Sequence, residues 1–169
     1  AYPRDGIDAD VDYADPLPAD HLKGLMRAEA RRLARAELVG RVFGTTADES
    51  PWLWSSARPQ NEWTPAQSRH RVKIDSVTHS AIQDHLVTST ATWADGATFT
   101  VEQVAPLSED QLPEHVALLR TSARAIHHLG AWRRRGLGWV GVVPAEEVGA
   151  LLADLAALEP ALTGSERSA

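Results

Sequence analysis

Gly130-Ala-Trp-Arg-Arg-Arg135-Gly136-Leu-Gly138-Trp139-Val140 joins two segments of different hydrophobic period. Before it, Val116, Leu119, Ala123, Ile126 and Leu129 step by three and four, which predicts an amphipathic helix ended by Gly130. After it, Trp139-Val-Gly-Val-Val143 is a short apolar run expected to be a strand. The stretch is therefore a helix-to-strand turn. Its glycines free the backbone for φ > 0 and for close approach to a ligand. Its arginines carry planar, permanently charged forks that match phosphate oxygens. The plain alternative is a solvated basic turn.

Working outward from this turn gives the rest of the fold. Pro144 suits a first helical position, Glu146 and Glu147 suit the helix N-terminus, and Val148, Leu151, Leu152, Leu155 and Leu158 form the stripe of a final helix. On the other side, Thr98–Val104 alternates and is rich in β-formers, and Arg71–Val77 alternates like a half-buried strand. Residues 78–97 are polar and mixed, an excursion or hairpin. Residues 44–68 read as a long loop holding Trp52, Trp54 and Trp63, which either stack on bases or pin the loop to its own domain. Upstream, Asp20 is placed to cap a helix starting near His21 and ending within Gly40–Gly44. Leu22, Met26, Ala30, Leu33 and Leu38 form its apolar stripe. Lys23, Arg27, Arg31 and Arg35 form a basic stripe at i+4 steps, for which a solvated face is the plain alternative.

Composition limits the function classes. The 169 residues suffice for one domain with a core, at 43% hydrophobic and 24% charged. Residues 1–160 are expected to form that domain and 161–169 a frayed tail. There is no cysteine, so disulfides and thiolate metal sites are excluded and a reducing cytoplasm is the expected location. No apolar run reaches the roughly 20 residues of a membrane helix, and no membrane partner is expected. The net charge of −6 disfavours a general nucleic-acid binder. The signs are separated, however: acids crowd the first twenty residues and the tail, and bases crowd 23–41, 69–73 and 133–135. A local basic surface is thus open to an acidic protein.

The order helix, strand, strand, helix, strand, helix is βαββαβ without its first strand. The expected fold class is α+β: a ferredoxin-like, RRM-like antiparallel sheet with helices on one face, plus a C-terminal helix. The first strand is expected to have been left off or to be supplied by another chain through strand addition.

The pieces, in this order over residues 5–143, resemble the RAMP superfamily, the RRM-like proteins of CRISPR systems, and most of all the backbone subunits of type III effector complexes. Asp15-Pro-Leu-Pro18-Ala-Asp-His-Leu22-Lys23-Gly24-Leu-Met-Arg27 is similar to the family's Pro-x-x-x-Leu-Lys-Gly-x-x-Arg. Val42-Phe43-Gly44-Thr45 is similar to its Leu-Phe-Gly, and Arg71-Val-Lys-Ile-Asp75-Ser-Val-Thr78 to its strand ending Ile-Asp/Asn-x-x-Thr. Phe99-Thr-Val-Glu102 is similar to Phe-x-x-Glu, and His128-Leu-Gly130 with Arg133–Gly138 to the glycine-rich loop. Two features depart: the opening strand with its glycine turn is absent, and no Gly-Ser precedes Leu-Lys-Gly, so His21 would alter how that loop meets RNA.

The resemblance implies a guide RNA held through its phosphates by His21, Lys23, Arg27, Arg133, Arg134, Arg135, Gly136 and Gly138, with sequence read by base pairing to a single-stranded target RNA. Other CRISPR effector subunits are the implied protein partners, among them a donor for the missing strand. It also implies a target-cleaving aspartate in the loop before Leu-Lys-Gly. Gly6-Ile7-Asp8 resembles that segment, making Asp8 the candidate, with Asp10 and Asp12 nearby and Mg2+ required only if the subunit is catalytic. Calcium at Asp8-x-Asp10-x-Asp12 fails on spacing, because Tyr13 and Ala19 stand where glycine and glutamate are needed. Two alternatives stand beside this reading. One is a guide-processing endoribonuclease using His127 or His128, with a packing or capping role for His128 as its plain counterpart. The other is a non-catalytic structural subunit whose final helix, 145–158, docks on a neighbour or simply joins its own core.

Overall fold

A computed structural model describes residues 15–130, 138–145 and 150–158. The fold is α+β with antiparallel strand pairing and a C-terminal helix. It divides into two compact units, Ala1–Pro18 with Ser56–Phe99, and Ala19–Ser55 with Thr100–Ala169.

The second unit holds the helices. Helix α1 spans Ala19–Leu33 and α2 spans Ala36–Phe43. The single helix expected over this region is thus broken, with Arg35 in extended conformation at φ −62° and ψ 150°. Helical geometry explains the break. Apolar residues at steps of four drift roughly 40° per step around a straight helix, so Leu22 and Val42 would face roughly 200° apart. The break resets the azimuth, and Leu22, Met26 and Ala30 of α1 and Leu38, Val39, Val42 and Phe43 of α2 are all buried. Asp20 lies in the first turn of α1, one residue inside the start at Ala19, where its charge suits the helix dipole.

Strand β1, Trp52–Trp54, pairs antiparallel with β6, Val101–Gln103, in the register Trp52↔Gln103 to Trp54↔Val101. It lies inside the stretch 44–68 that the sequence presents as a loop. Its alternation is that of a half-buried strand: Trp52 and Trp54 point inward and Leu53 is exposed. The tryptophans are core residues, with the Trp54 ring stacked on Phe43 at 5.5 Å and its indole N–H donating to Met26 Sδ at 3.4 Å. Helix α3, Gln111–Arg124, ends before the expected Gly130. Past it, the chain extends so that Leu129 N–H donates to Gly138 O at 2.8 Å and Val140 N–H to His127 O at 3.1 Å. The strand expected over Trp139–Val143 is reduced to one bridge, His128↔Trp139. Helix α4, Ala150–Leu158, packs on α3.

The first unit holds the other strands. β2, Arg58–Pro59, pairs with β5, Ala97–Thr98; β3, Gln67–Ile74, pairs with β4, Ala81–Ala91. The expected excursion at 78–97 is therefore largely one arm of a hairpin. Its register runs from Gln67↔Ala91 to Val72↔Leu86 and then jumps to Ile74↔Ala81, leaving extra β4 residues opposite Lys73. Asp84, in this bulge, takes φ +61°.

Candidate functional site

The residues of the Leu-Lys-Gly and Phe-Gly motifs meet around one open pocket of about 530 Å3. From α1 come Asp20, Lys23, Gly24 and Arg27. From the end of α2 and the turn after it come Phe43, Gly44, Thr45, Asp48, Glu49 and Ser50, and from β1 comes Trp52.

The two cations differ in how they are held. Lys23 Nζ stands 4.9 Å from the centroid of the Trp54 ring, a cation–π contact that leaves its donors open to a ligand. Arg27 Nε is buried and makes no hydrogen bond. Neither residue forms an ion pair with any described residue. A buried donor without a partner costs about 1–3 kcal/mol, more when charged, so the Nε–H of Arg27 is an unmet demand of this fold. Asp20, Asp48 and Glu49 line the same pocket, so the site is mixed rather than uniformly basic. An anion would sit toward Lys23 and Arg27, and the carboxylates would accept from hydroxyl or amino groups. His21 is not among the lining residues.

The rim is built by backbone geometry. Gly44 has φ +82°, and a Cβ there would stand 2.9 Å from Ser50 N and 3.0 Å from Asp48 O. Thr45 Oγ1 accepts from Ala47 N–H at 3.1 Å and Asp48 N–H at 3.0 Å, closing the turn. Ser50 Oγ donates to Val42 O at 2.7 Å and accepts from Trp52 N–H at 3.2 Å, joining α2 to β1. Gly44→Ala is expected to destabilise the fold by about 2 kcal/mol, through strain at positive φ plus backbone collision. Urea unfolding measures this, and an unchanged midpoint would contradict the geometry.

Beneath Trp52 lies His115, which the sequence did not single out. It is 1% exposed, and its Nδ1 accepts the Trp52 indole N–H at 3.2 Å. Its Nε2 is buried without a partner. Burial lowers the imidazole pKa, the Arg41 guanidinium lowers it further, and Glu114 opposes both. A lone histidine on an amphipathic helix carries no sequence signal; only its long-range contact with Trp52 identifies it.

Of the other predicted site residues, Asp8, Arg133, Arg134, Arg135 and Gly136 lie outside the described residues. Gly138 is described, and the neck of its loop is defined. It has φ +72°, and a Cβ there would collide with the Leu129 carbonyl, so the pairing of 127–129 with 138–140 requires glycine. His128 packs on Trp139 with ring centroids 4.2 Å apart, and His127 is exposed.

In the other unit, β3 carries Arg69, Arg71 and Lys73 on one face by strand alternation. The Ile-Asp-x-x-Thr residues fold the hairpin tip. Asp75 Oδ1 accepts from Thr78 N–H at 2.8 Å, Val77 N–H at 2.9 Å and the Thr78 hydroxyl at 3.1 Å. The Thr78 and Val77 amides, then the hydroxyl, hold the carboxyl below its ordinary value.

Among the described residues no group of three or more His, Asp or Glu is placed to hold a metal ion. No described helix is long and apolar enough to cross a membrane. A family model described as the RAMP superfamily matches residues 6–141. No curated protein matches the chain.

Proposed function

Because the chain belongs to the RAMP superfamily, we propose that it is a guide-RNA-binding backbone subunit of a type III CRISPR ribonucleoprotein. Family membership supports the coarser part, a CRISPR-associated RNA-binding role. The finer part rests on likeness of motif to the backbone subunits. The observation that carries the reading is the Arg27 Nε, buried beside Lys23 and lacking an acceptor. A phosphodiester in the pocket would give the Arg27 guanidinium an acceptor, and binding through phosphates suits a subunit that must take any guide sequence. The mixed charge of the pocket fits the same reading, since ribose hydroxyls can donate to carboxylates beside the phosphate. Arg133–Arg135 would add cations at the glycine loop, and other effector subunits would be neighbours along the guide. Native mass spectrometry of the complex purified from its own host, with the RNA identified, tests the proposal. A subunit of this mass with guide RNA and related subunits supports it; a free monomer or homo-oligomer without RNA overturns it.

Target cleavage is a separate part of the reading and falls on Asp8, with Mg2+ entering only there. Asp8→Ala is expected to abolish divalent-metal-dependent cutting of a target RNA while leaving assembly intact. If the wild-type complex does not cut, the subunit is a scaffold. Metal-independent cutting of repeat RNA alone, lost in His127→Ala or His128→Ala, would replace both with the guide-processing reading.

A further inference from the structure

We infer that His115 is a positioning residue for the α1 pocket: by accepting the Trp52 indole N–H, it fixes the wall against which Lys23 and Arg27 receive RNA. The inference rests on the RNA-binding reading of that pocket. Trp52 is one of its lining residues and is 8% exposed. Its backbone is tied by Ser50, and its side chain is tied to α3 by the 3.2 Å bond to His115 Nδ1. An indole N–H only donates, so Nδ1 must be the acceptor and the neutral ring carries its proton on Nε2.

That Nε2–H has no partner in the core. A phenyl ring would spare the core that unpaired donor but would leave the buried Trp52 indole N–H without its acceptor, so histidine exchanges one unpaired donor for another. What histidine provides is an acceptor at Nδ1. A site that breaks a local rule of satisfaction is where a functional demand is expected.

Protonation supplies a readout that a merely structural role would not. A proton on Nδ1 turns the acceptor into a donor facing a donor, and Trp52 is released from α3. The charged groups acting on His115 are Arg41 of α2, which resists protonation, and Glu114 of α3, which favours it; β1 presents uncharged Trp52. Arg41 and Glu114 are themselves paired at 2.7 Å.

The test uses the full chain and a fluorescein-labelled single-stranded RNA. His115→Asn places Oδ1 where Nδ1 stands; His115→Phe removes the acceptor. At neutral pH, His115→Phe is expected to bind RNA about fivefold more weakly, the scale of one buried hydrogen bond, and His115→Asn close to wild type. Because burial lowers the imidazole pKa, wild type should lose affinity relative to His115→Asn as the pH falls below the ordinary imidazole value of about 6.5. The Trp52 indole NMR signal, assigned with Trp52→Phe, should titrate in wild type and not in His115→Asn. If Lys23→Ala weakens RNA binding but no His115 variant does, the inference fails and the function stands. If Lys23→Ala and Arg27→Ala are also silent, the pocket reading fails with it. If His115→Phe does not fold, the wild-type and His115→Asn pH profiles decide: parallel profiles overturn the inference.

Discussion

Alanine at Lys23 or at Arg27 is expected to weaken binding of single-stranded RNA about tenfold and to flatten its salt dependence by about 0.7 in log–log slope for each phosphate left without its cation. The effect should be the same for unrelated RNA sequences, because phosphate contacts carry no base information. The two residues sit four apart on α1 and face one pocket, so the double variant should lose less than the sum of the singles. They should also respond differently to conservative change. Arg27→Lys removes the fork and Nε, and should bind nearly as poorly as alanine. Lys23→Arg keeps a cation able to lie over Trp54, and should keep most of the affinity. Fluorescence anisotropy across a salt series measures all five variants. Unchanged slopes would remove the pocket from the RNA path.

The elements legible in the sequence were those with a buried face against a wet one. α1 announced itself through Leu22, Met26 and Ala30, and α3 through Leu119 and Ala123, each of which is buried. Gly44 and Gly138 were legible as glycines, and their positive φ values supply the reason. The break at Arg35 was not legible, because no proline or glycine marks it and its cause is the azimuth of Val42 far along the chain. Strand β1 is three residues long, too short for alternation to stand out between Pro51 and Ser55. The β3–β4 hairpin was legible only in part, as a strand over Arg71–Val77 and an excursion or hairpin after it. Val72 and Leu86 face each other and are half-exposed or more, so little burial imposes a pattern on it. His115 depends on Trp52, sixty-three residues away, and no local period encodes such a bond.

The same long-range character governs the C-terminal helix and sets the largest stability effect expected in the chain. Helix α4 buries Leu158 completely, but Leu151, Leu152 and Leu155 are exposed, so its apolar anchorage is thin. Its other tether is Asp154, 5% exposed, whose Oδ2 lies 2.7 Å from Arg124 Nη1 and whose Oδ1 lies 3.7 Å from Arg120 Nη1. Both arginines project from α3 at i and i+4 and are about three-quarters buried at the side chain. Removing the carboxylate takes the 2.7 Å partner from Arg124, a mostly desolvated cation, and breaking a buried pair in this way costs about 3–5 kcal/mol. Asp154→Ala is therefore expected to lower the urea midpoint sharply and to expose the amides of α4 to hydrogen exchange. Asp154→Asn, which keeps an acceptor but not the charge, should fall between. The cost belongs to the stranded Arg124 cation and not to the pair itself, so a double variant, Asp154→Leu with Arg124→Leu, should recover most of the stability. Failure of that rescue would mean α4 is held by something other than this cluster. Release of α4 with RNA binding intact would separate this anchorage from the pocket on α1.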